Sequence, residues 1–529
     1  MKTGSSSARL APLPVSLLIT LGLLPVIAIT TGCGSSSTPP LRGNTSVTVL
    51  ISSTANDQVT DFAAQLQTLT MTGRSGRTVT TLLSSQQPAE FMHINGGIEP
   101  LTTVSVPQDI YTLASIKLNG AEFECIGQVP GGGLGIADYS TINQGPTVNL
   151  PSPITVKGSS MALVLNLEVS QSVVFPTCWS PGFQGFSLTP TFTLAPIVSS
   201  SSPTNSGNGK VSGLNALIAS VGTAGSALTL TIPGGVYGTR TLSASSNGTT
   251  VFQGVSGASA LSPGMFLDMD GAIQPDGSLL ATRIAVEDSS INDSTGPVMS
   301  VDNVVPNLLL YGRNELGSLL TGPNGQSGIY WDAPTFDFSQ AMFKISGQFT
   351  NLENLPFVPI FNASNVVAGE NVDVTSGNFS LRGGVYTRAH TITLLPQTID
   401  GTVVASQPSG NFVDYTVSLA SYDLFPTLAV QPGQTTRLRD PSQVEVYVDS
   451  NTQLLNAQSL AAGGAFRFYG LLFNDNGTLR MDCAQVNDGV SFTSAPSPST
   501  GLQSGRISTI RRVGIDGLPE ILTTWTHSL

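Results

Sequence analysis

The sequence predicts an all-β protein in which an N-terminal β-sandwich is followed by about three small β-barrel-like repeats. Three observations support this fold class. Apolar and polar residues alternate along most of the chain, as they do in half-buried strands. The 56 glycines and 34 prolines separate these alternating runs at positions typical of turns. A short motif that ends in glycine also occurs three times after residue 260, which indicates tandem domains.

The composition excludes several classes of protein. Only 10% of the 529 residues are charged, whereas soluble domains average roughly 25%. The 33 acidic and 21 basic residues give a formal net charge of −12. With 40% apolar residues, the chain can bury several cores and is neither a disordered polyanion nor a coiled coil. Because the basic residues are few and dispersed, we predict that nucleic acid is not a partner.

The first element is a leader over residues 1–32. A basic start is followed by an apolar run at residues 17–29, which is shorter than the roughly 20 residues of a membrane span and typical of a signal peptide. The small residues before Cys33 resemble the lipobox of bacterial lipoproteins. That resemblance implies lipidation of Cys33 and anchoring to the cell envelope, and Gly34 implies the outer membrane. An ordinary secretory leader with an incidental cysteine is the alternative. Residues 33–43 are predicted to be a flexible tether.

The remaining cysteines are Cys125, Cys178 and Cys483. We predict a disulfide between Cys125 and Cys178, because an exported compartment permits disulfides and both residues lie in the predicted sandwich. Closing that loop stabilises a protein by roughly 4 kcal/mol in the chain-entropy model. Cys483 shares a strand face with apolar side chains, which predicts a buried, unreactive thiol. The chain has no CxxC motif or Cys/His cluster, so we predict neither a metal site nor a cofactor.

The sandwich is predicted over residues 44–195. Leu163, Leu165 and Leu167 alternate with polar residues, which is the pattern of a strand with one buried face. Within this region the spacing of Val59, Phe62 and Leu66 instead predicts one short helix. Residues 104–118, with a proline, a turn, a tyrosine and a strand in that order, resemble a transthyretin-like domain of unknown function found in bacterial lipoproteins. That resemblance implies a β-sandwich. Residues 196–209 are rich in Ser, Pro, Asn and Gly and are predicted to be a linker.

The repeats follow the linker. The motif at residues 261–264 ends in Gly264 and is echoed at 366–369 and 460–463. In the first and third copies a second glycine follows seven residues later, and an Asp-Gly or Asn-Gly pair then predicts a two-residue hairpin turn with positive φ. In the middle copy Gly377 comes eight residues after Gly369 and the turn is missing. The predicted units are barrels at 210–292, 293–398 (degenerate) and 399–493, and a linker with C-terminal strands at 494–529.

The first copy also carries a family resemblance. Residues 261–284 resemble a small β-barrel domain of unknown function that recurs in bacterial exported proteins. That resemblance implies a fold and an exported location, and it implies no chemistry.

Candidate ligand-binding residues are few. Asp268 and Asp270 could bind calcium, but they lack the other ligands of a calcium loop, and alternation places them on the solvent face of a strand. Tyr330 and Trp331 follow a polar loop and could form a platform that stacks on sugars. No sequence motif of a nucleophilic, phosphate-binding or metal-dependent enzyme is present, so we predict no catalytic residue and no enzymatic activity.

The sequence therefore predicts a lipid-anchored cell-envelope protein with a binding or structural role. Its expected partners are the membrane, through the lipid anchor, and an envelope glycan or protein. Two alternatives stay open, an envelope hydrolase that acts on glycans and a carbohydrate-binding surface protein.

Overall fold

The structure, a computed structural model, describes most of the chain from residue 41 onward, all of it within one compact unit, Leu41–Leu529. The described residues are 41–54, 59–76, 78–83, 85–91, 94, 98–128, 134–141, 146–174, 187–197, 209–222, 225–232, 240–287, 291–302, 304–310, 312–316, 329–332, 335–346, 352–377, 387–420, 423–429, 437–454, 459–488, 506–513 and 519–521. Among them, no helix combines the length and the apolar character needed to cross a membrane.

The N-terminal sandwich has two main sheets. The first contains β1 (Asn44–Thr54), β5 (Glu99–Pro107), β8 (Thr147–Asn149), β10 (Ser160–Glu168) and β13 (Thr191–Pro196), in the order β5-β1-β10-β13-β8. The second contains β2 (Val59–Gly73), β3 (Val79–Leu83), β4 (Gln87–Glu90), β6 (Ile110–Gln128), β7 (Leu134–Thr141) and β9 (Ile154–Thr155). The C-terminal strands β34 (Arg506–Val513) and β35 (Pro519–Ile521) complete the second sheet, because β34 pairs with β7. A short helix, α1 (Val169–Ser172), and the small pair β11 (Val173–Val174) and β12 (Ser187–Leu188) follow β10.

The prediction of a helix near residue 60 was wrong, because that segment is the 15-residue strand β2. Phe62, Ala64 and Leu66 are all buried, so the segment follows the period of two of a strand rather than the helical period. These side chains share one core with Leu163 and Leu165 of the other sheet. Packing against that sheet outweighs the local helical spacing.

Three closed barrels follow the sandwich. Barrel 1 contains β14 (Lys210–Val221), β15 (Ala227–Ile232), β16 (Arg240–Ser245), β17 (Val251–Gln253), β18 (Phe266–Ile273) and β19 (Leu279–Glu287), with a 3-10 helix at Ala258–Ala260. The antiparallel order is β16-β15-β14-β18-β19, and a parallel pairing of β16 with β19 closes the ring. The short strand β17 pairs with β19 at the side.

Barrels 2 and 3 repeat this topology. Barrel 2 contains β20 (Ile291–Asp302), β21 (Asn307–Leu310), β24 (Thr335–Asp337), β25 (Met342–Ile345), β26 (Asn371–Gly377) and β27 (Thr387–Leu394), with an added hairpin of β22 (Gly312–Leu316) and β23 (Ile329–Asp332) and a 3-10 helix at Leu352–Asn354. Barrel 3 contains β28 (Gln397–Ser409), β29 (Phe412–Leu419), α2 (Leu424–Ala429), β30 (Gln443–Val448), β31 (Gln453–Leu454), β32 (Ala465–Asp475) and β33 (Thr478–Asp488). The predicted fold class is confirmed.

The recurring glycine motif has one structural role in all three barrels. Gly264, Gly369 and Gly463 have φ values of 89°, 103° and 84°, which an L-residue with a side chain rarely adopts. Each donates its N–H over 2.8 Å to a carbonyl at a bulge in the first strand of its barrel. The acceptors are Ile218, Val298 and Val403. The glycine therefore recurs because this tight approach between turn and bulge recurs.

The second glycine of the motif marks another bulge. A Cβ atom on Gly271 or Gly470 would collide with a carbonyl oxygen of the neighbouring strand. In barrel 2 the bulge falls at Ser376, seven residues after Gly369, and not at Gly377. The middle copy therefore keeps the spacing of seven and replaces the glycine with a small, buried serine.

The two predicted hairpin turns differ. Asn476 and Gly477 have φ values of 52° and 92°, as the two-residue turn requires. At the first copy only Gly277 has a positive φ, and its N–H donates to the carbonyl of Gln274 over 2.9 Å. Pro275 fixes its own φ near −65°, which favours a type I turn at this position.

The barrel 1 turn also docks on the sandwich. The carbonyl of Pro275 accepts the N–H of Ala162 over 2.9 Å, and Gly277 lies against Thr48. Leu50 of the sandwich belongs to the hydrophobic core of barrel 1. The first barrel is therefore packed on the sandwich through buried apolar contacts.

Candidate functional site

The two predicted acidic candidates lie together in barrel 1 and are paired with an arginine. Arg283 of β19 contacts Asp268 through Nη2 and Asp270 through Nε, both over 2.6 Å. The second oxygen of Asp270 accepts the N–H of Gly213 over 3.0 Å. The Asp270 side chain is 2% exposed, so it does not lie on the solvent face that alternation predicts. Burial acts to lower the pKa of Arg283, but the two carboxylates raise it above its ordinary value.

This cluster is a structural ion triad. No group of three or more His, Cys, Asp or Glu side chains among the described residues could hold a metal ion. Polar pairs occur at the same place in all three barrels, between the first and fourth strands in register. The pairs are Asn215 with Asp268, Thr295 with Asp373, and Asp400 with Arg467. The repetition shows that this position joins two strands of each barrel.

The other predicted site residues do not belong to the Arg283 cluster of barrel 1. Tyr330 and Trp331 lie on β23, opposite Asn314 and Arg313 of β22, and their side chains lie outside the described residues. Cys125 lies on β6, with its side chain outside that set, as are Cys33 and Cys178. Their lipidation and pairing stay predictions.

Cys483 is buried and forms no disulfide, as predicted. Burial and the nearby charge of Asp482 raise the pKa of its thiol far above the ordinary value, which keeps it protonated and unreactive.

The outer face of barrel 3 is occupied by the chain itself. The ring of Phe357, from the β25–β26 connection of barrel 2, lies 5.2 Å from the Tyr447 ring and 5.5 Å from the Arg480 guanidinium carbon. Glu445 and Asp475 each hold Arg480 over 3.0 Å. An aromatic ring from barrel 2 therefore covers this part of barrel 3.

Barrel 1 instead presents a hydroxyl-lined face on its second and third strands. In register, Thr231 lies opposite Thr241, and Thr229 lies opposite Ser243. These four side chains are half-buried or exposed, and they offer donors and acceptors without charge.

The sandwich carries a larger neutral surface, which we call the amide–hydroxyl face. It lies on the outer side of β2, β3 and β6 and on Gln86 just before β4, opposite the buried core residues, and its side chains are half-buried or exposed. Its members are Gln65, Thr68, Thr70, Thr72, Thr81, Gln86, Ser115, Lys117 and Asn119. Lys117 is the one charged member of this set.

Hydrogen bonds order this face. Thr70 and Ser115 lie opposite each other with 2.8 Å between their hydroxyl oxygens. The Gln86 amide donates to Gln65 over 2.8 Å and accepts from Asn119 over 3.4 Å. Val79 and Leu113, 62% and 64% exposed, border the face on either side of Thr72. The result is an ordered array of mostly neutral polar groups with an apolar edge.

The barrels define a class of fold. In each, the first strand pairs with the second and the fourth, and the third and fifth strands pair in parallel to close the ring. This five-stranded Greek-key barrel is the topology of the OB fold, whose members bind oligonucleotides and oligosaccharides on the second and third strands and adjacent loops.

One family model matches part of the chain. Residues 220–285 match the model of a domain of unknown function, DUF5666. The match lies in barrel 1 and confirms the resemblance of that region to a small barrel domain of unknown function. No curated protein matches the chain.

The solved structures that match include the single-stranded DNA binding protein from Thermus aquaticus, with 12% identity, a TM-score of 0.15, and coverage of 40% of this chain and 97% of that one. A deletion mutant of that protein matches with 14% identity, a TM-score of 0.14 and the same coverage. Drosophila Unr CSD456 matches with 11% identity and a TM-score of 0.12, covering 53% of this chain and 98% of that one.

The prediction that nucleic acid is not a partner is contradicted, because the barrels have the OB topology, which other proteins use to bind oligonucleotides. That prediction rested on net charge and dispersed basic residues. It did not foresee a barrel topology that is used for oligonucleotides in other proteins.

Proposed function

We propose that this protein is an exported, lipid-anchored protein of the cell envelope that binds a neutral polysaccharide through the amide–hydroxyl face. The leader and Cys33 support the location. The observation that carries the ligand is the ordered array of amides and hydroxyls on the sandwich, in which Lys117 is the one charged member of the set. A sugar hydroxyl both donates and accepts hydrogen bonds, and amide and hydroxyl side chains offer both functions.

The geometry suits an extended ligand. Outward side chains repeat about every 6.8 Å along a strand and about every 4.8 Å between strands. Thr81, Thr70 and Ser115 form one row across three strands, and Val79, Thr72 and Leu113 form the next. The first row offers hydroxyls, while the exposed apolar side chains of the second can cover the C–H faces of sugar rings.

A second candidate is binding of single-stranded nucleic acid on barrel 1. The observation that favours it is the barrel topology, since the hydroxyl-lined strands β15 and β16 are the second and third strands of an OB fold. Such binding weakens as salt rises, because cationic groups that contact phosphates release counterions. Sugar binding by uncharged groups has little salt dependence.

One experiment separates the two ligands. The mature protein is tested on neutral polysaccharides and on an oligothymidylate, at low and high salt. We expect the polysaccharide to bind, with a loss of roughly five- to tenfold in Thr70→Val and in Asn119→Ala, because each removes about 1 kcal/mol of hydrogen bonding. Thr241→Val, on barrel 1, is the matched control and should bind polysaccharide as the wild type does.

Three outcomes would change the proposal. Oligothymidylate binding that is lost in Thr241→Val and falls with salt would favour the nucleic-acid candidate. Release of soluble sugar from the polysaccharide would favour the hydrolase alternative. Equal binding by the wild type, Thr70→Val and Asn119→Ala would remove the amide–hydroxyl face from the proposal.

The anchor needs a separate test. The full chain and its Cys33→Ala variant are expressed in bacteria with labelled palmitate, and the cells are fractionated. We expect label and membrane association in the wild type and loss of both in Cys33→Ala. An unlabelled wild-type protein in the cytoplasm would refute the location without affecting the polysaccharide test.

A further inference from the structure

A buried carboxyl group lies at the junction between barrels 2 and 3. Glu370, which follows the repeat glycine Gly369, is 0% exposed. Its Oε2 atom accepts the N–H of Val367 over 2.9 Å, which closes the turn 367–370 on itself. Its Oε1 atom is buried and has no hydrogen-bond partner among the described residues. A charged carboxylate in this place would be poorly compensated.

The turn 367–370 is part of the contact with barrel 3. Val367 belongs to the hydrophobic core of barrel 3, together with Phe425 of α2. The Phe425 ring lies so close to Gly369 that a Cβ atom there would be 2.6 Å from it. Gln397, the first residue of β28 in barrel 3, donates its amide N–H to the carbonyl of Gly369 over 3.0 Å. Movement of this turn would therefore open the junction.

The charged groups around the turn come from barrel 3. Arg437 donates to the carbonyl of Ala363 over 3.1 Å, and its charge partly favours the ionised form of Glu370. Asp423, at the start of α2, accepts the N–H of Phe425 over 3.2 Å and that of Asp400 over 3.3 Å. Asp400 in turn lies 3.3 Å from Arg467.

The balance of these effects favours a neutral carboxyl. Burial raises the pKa of Glu370 well above its ordinary value, while the Val367 N–H and the charge of Arg437 lower it only in part. The neutral form is therefore the form that fits the closed junction.

We propose that Glu370 is a pH-sensitive lock on the junction between barrels 2 and 3. With its proton in place, the turn 367–370 stays packed on α2. When the proton passes to water, the charged carboxylate is stabilised by hydration. The turn therefore moves away from barrel 3 and exposes the carboxylate to solvent. The folded carboxyl holds its proton more tightly than the unfolded one. The stability that this carboxyl contributes is therefore fully present below the pKa that Glu370 has in the unfolded chain. It falls as pH rises between that value and the pKa in the folded protein, and it is lost above the folded-state pKa.

Hydrogen exchange of the mature protein across pH tests the lock. Protection factors, corrected for the intrinsic pH dependence of exchange, are measured for peptides over residues 365–371 and 424–429. In the wild type we expect protection to fall by up to tenfold per pH unit within the titration window, because one proton is released on opening. Glu370→Gln, which keeps the shape without the charge, should show no such fall.

Two further variants make the result decisive. Glu353→Gln removes an exposed carboxylate from the same connection of barrel 2 and should behave as the wild type. Arg437→Gln removes the cation that favours ionisation of folded Glu370, so the fall should begin at the same pH and extend to higher pH, and this variant tests the lock even where Glu370→Gln does not fold. Constant protection in the wild type, or an equal fall in Glu370→Gln, would overturn the proposal.

Discussion

Replacing Phe357 by alanine tests how much this ring contributes to the contact between barrels 2 and 3. Phe357 is 7% exposed and lies 5.2 Å from Tyr447 and 5.7 Å from Phe473, ring to ring. Truncating a buried Phe costs about 3–5 kcal/mol, and loss of the cation contact with Arg480 adds about 0.5–1 kcal/mol. In a unit the size of two barrels, each kcal/mol lowers Tm by about 2–4 °C. The combined cost of about 3.5–6 kcal/mol therefore predicts a fall of about 7–24 °C.

Differential scanning calorimetry measures this shift in the full chain. Val358→Ala is the matched control, because Val358 is the next residue in the chain and is 69% exposed. Substitutions at exposed positions of this kind change the free energy of unfolding by about 0.5 kcal/mol or less. The unfolding transition of Val358→Ala should therefore stay close to that of the wild type. A shift in Phe357→Ala no larger than that in Val358→Ala would refute the junction described above.

Four further outcomes are expected. Gly470→Ala should destabilise barrel 3 by more than about 2 kcal/mol in urea unfolding, because the new methyl group meets backbone that cannot yield. Ser376→Ala, at the equivalent bulge, should be neutral or stabilising, since its buried hydroxyl has no partner among the described residues. Arg283→Met should cost about 3–5 kcal/mol by leaving two carboxylates uncompensated, and adding Asp270→Asn should recover part of that loss. Iodoacetamide should label Cys483 only in denaturant, and rapid labelling of the native protein would contradict its burial.

The sequence was sufficient for the fold class and insufficient for the strand order. Alternation identifies strands because a buried sheet face imposes a period of two, and this holds even where a helix was predicted, at Phe62 and Leu66. Alternation carries no information on which strands pair, so the OB topology was not predicted. The repeat glycines were found because a positive φ restricts the choice of residue. The shift from Gly377 to Ser376 was missed because serine tolerates the bulge.

The junction residues were missed for a different reason. Phe357 lies in a short apolar segment whose pattern is typical of core residues. No feature of the neighbouring sequence indicates a contact with Tyr447, which lies some 90 residues further along the chain. Glu370 did leave a signal. It follows the repeat glycine at a position where the other copies have Met265 and Gly464. A charged residue at a repeat position that is otherwise uncharged could have directed attention to it.

The pairing of β34 with β7 has a consequence for how the chain matures. The second sheet of the sandwich is assembled from segments that flank all three barrels, and closing so long a loop delays the last strand pairing. Until β34 arrives, β7 presents an open edge that can pair with another chain. If the barrels fold first, the loop that must close between β7 and β34 becomes effectively shorter. Ribosome stalling or a late nonsense codon would therefore release chains with intact barrels and an aggregation-prone sandwich.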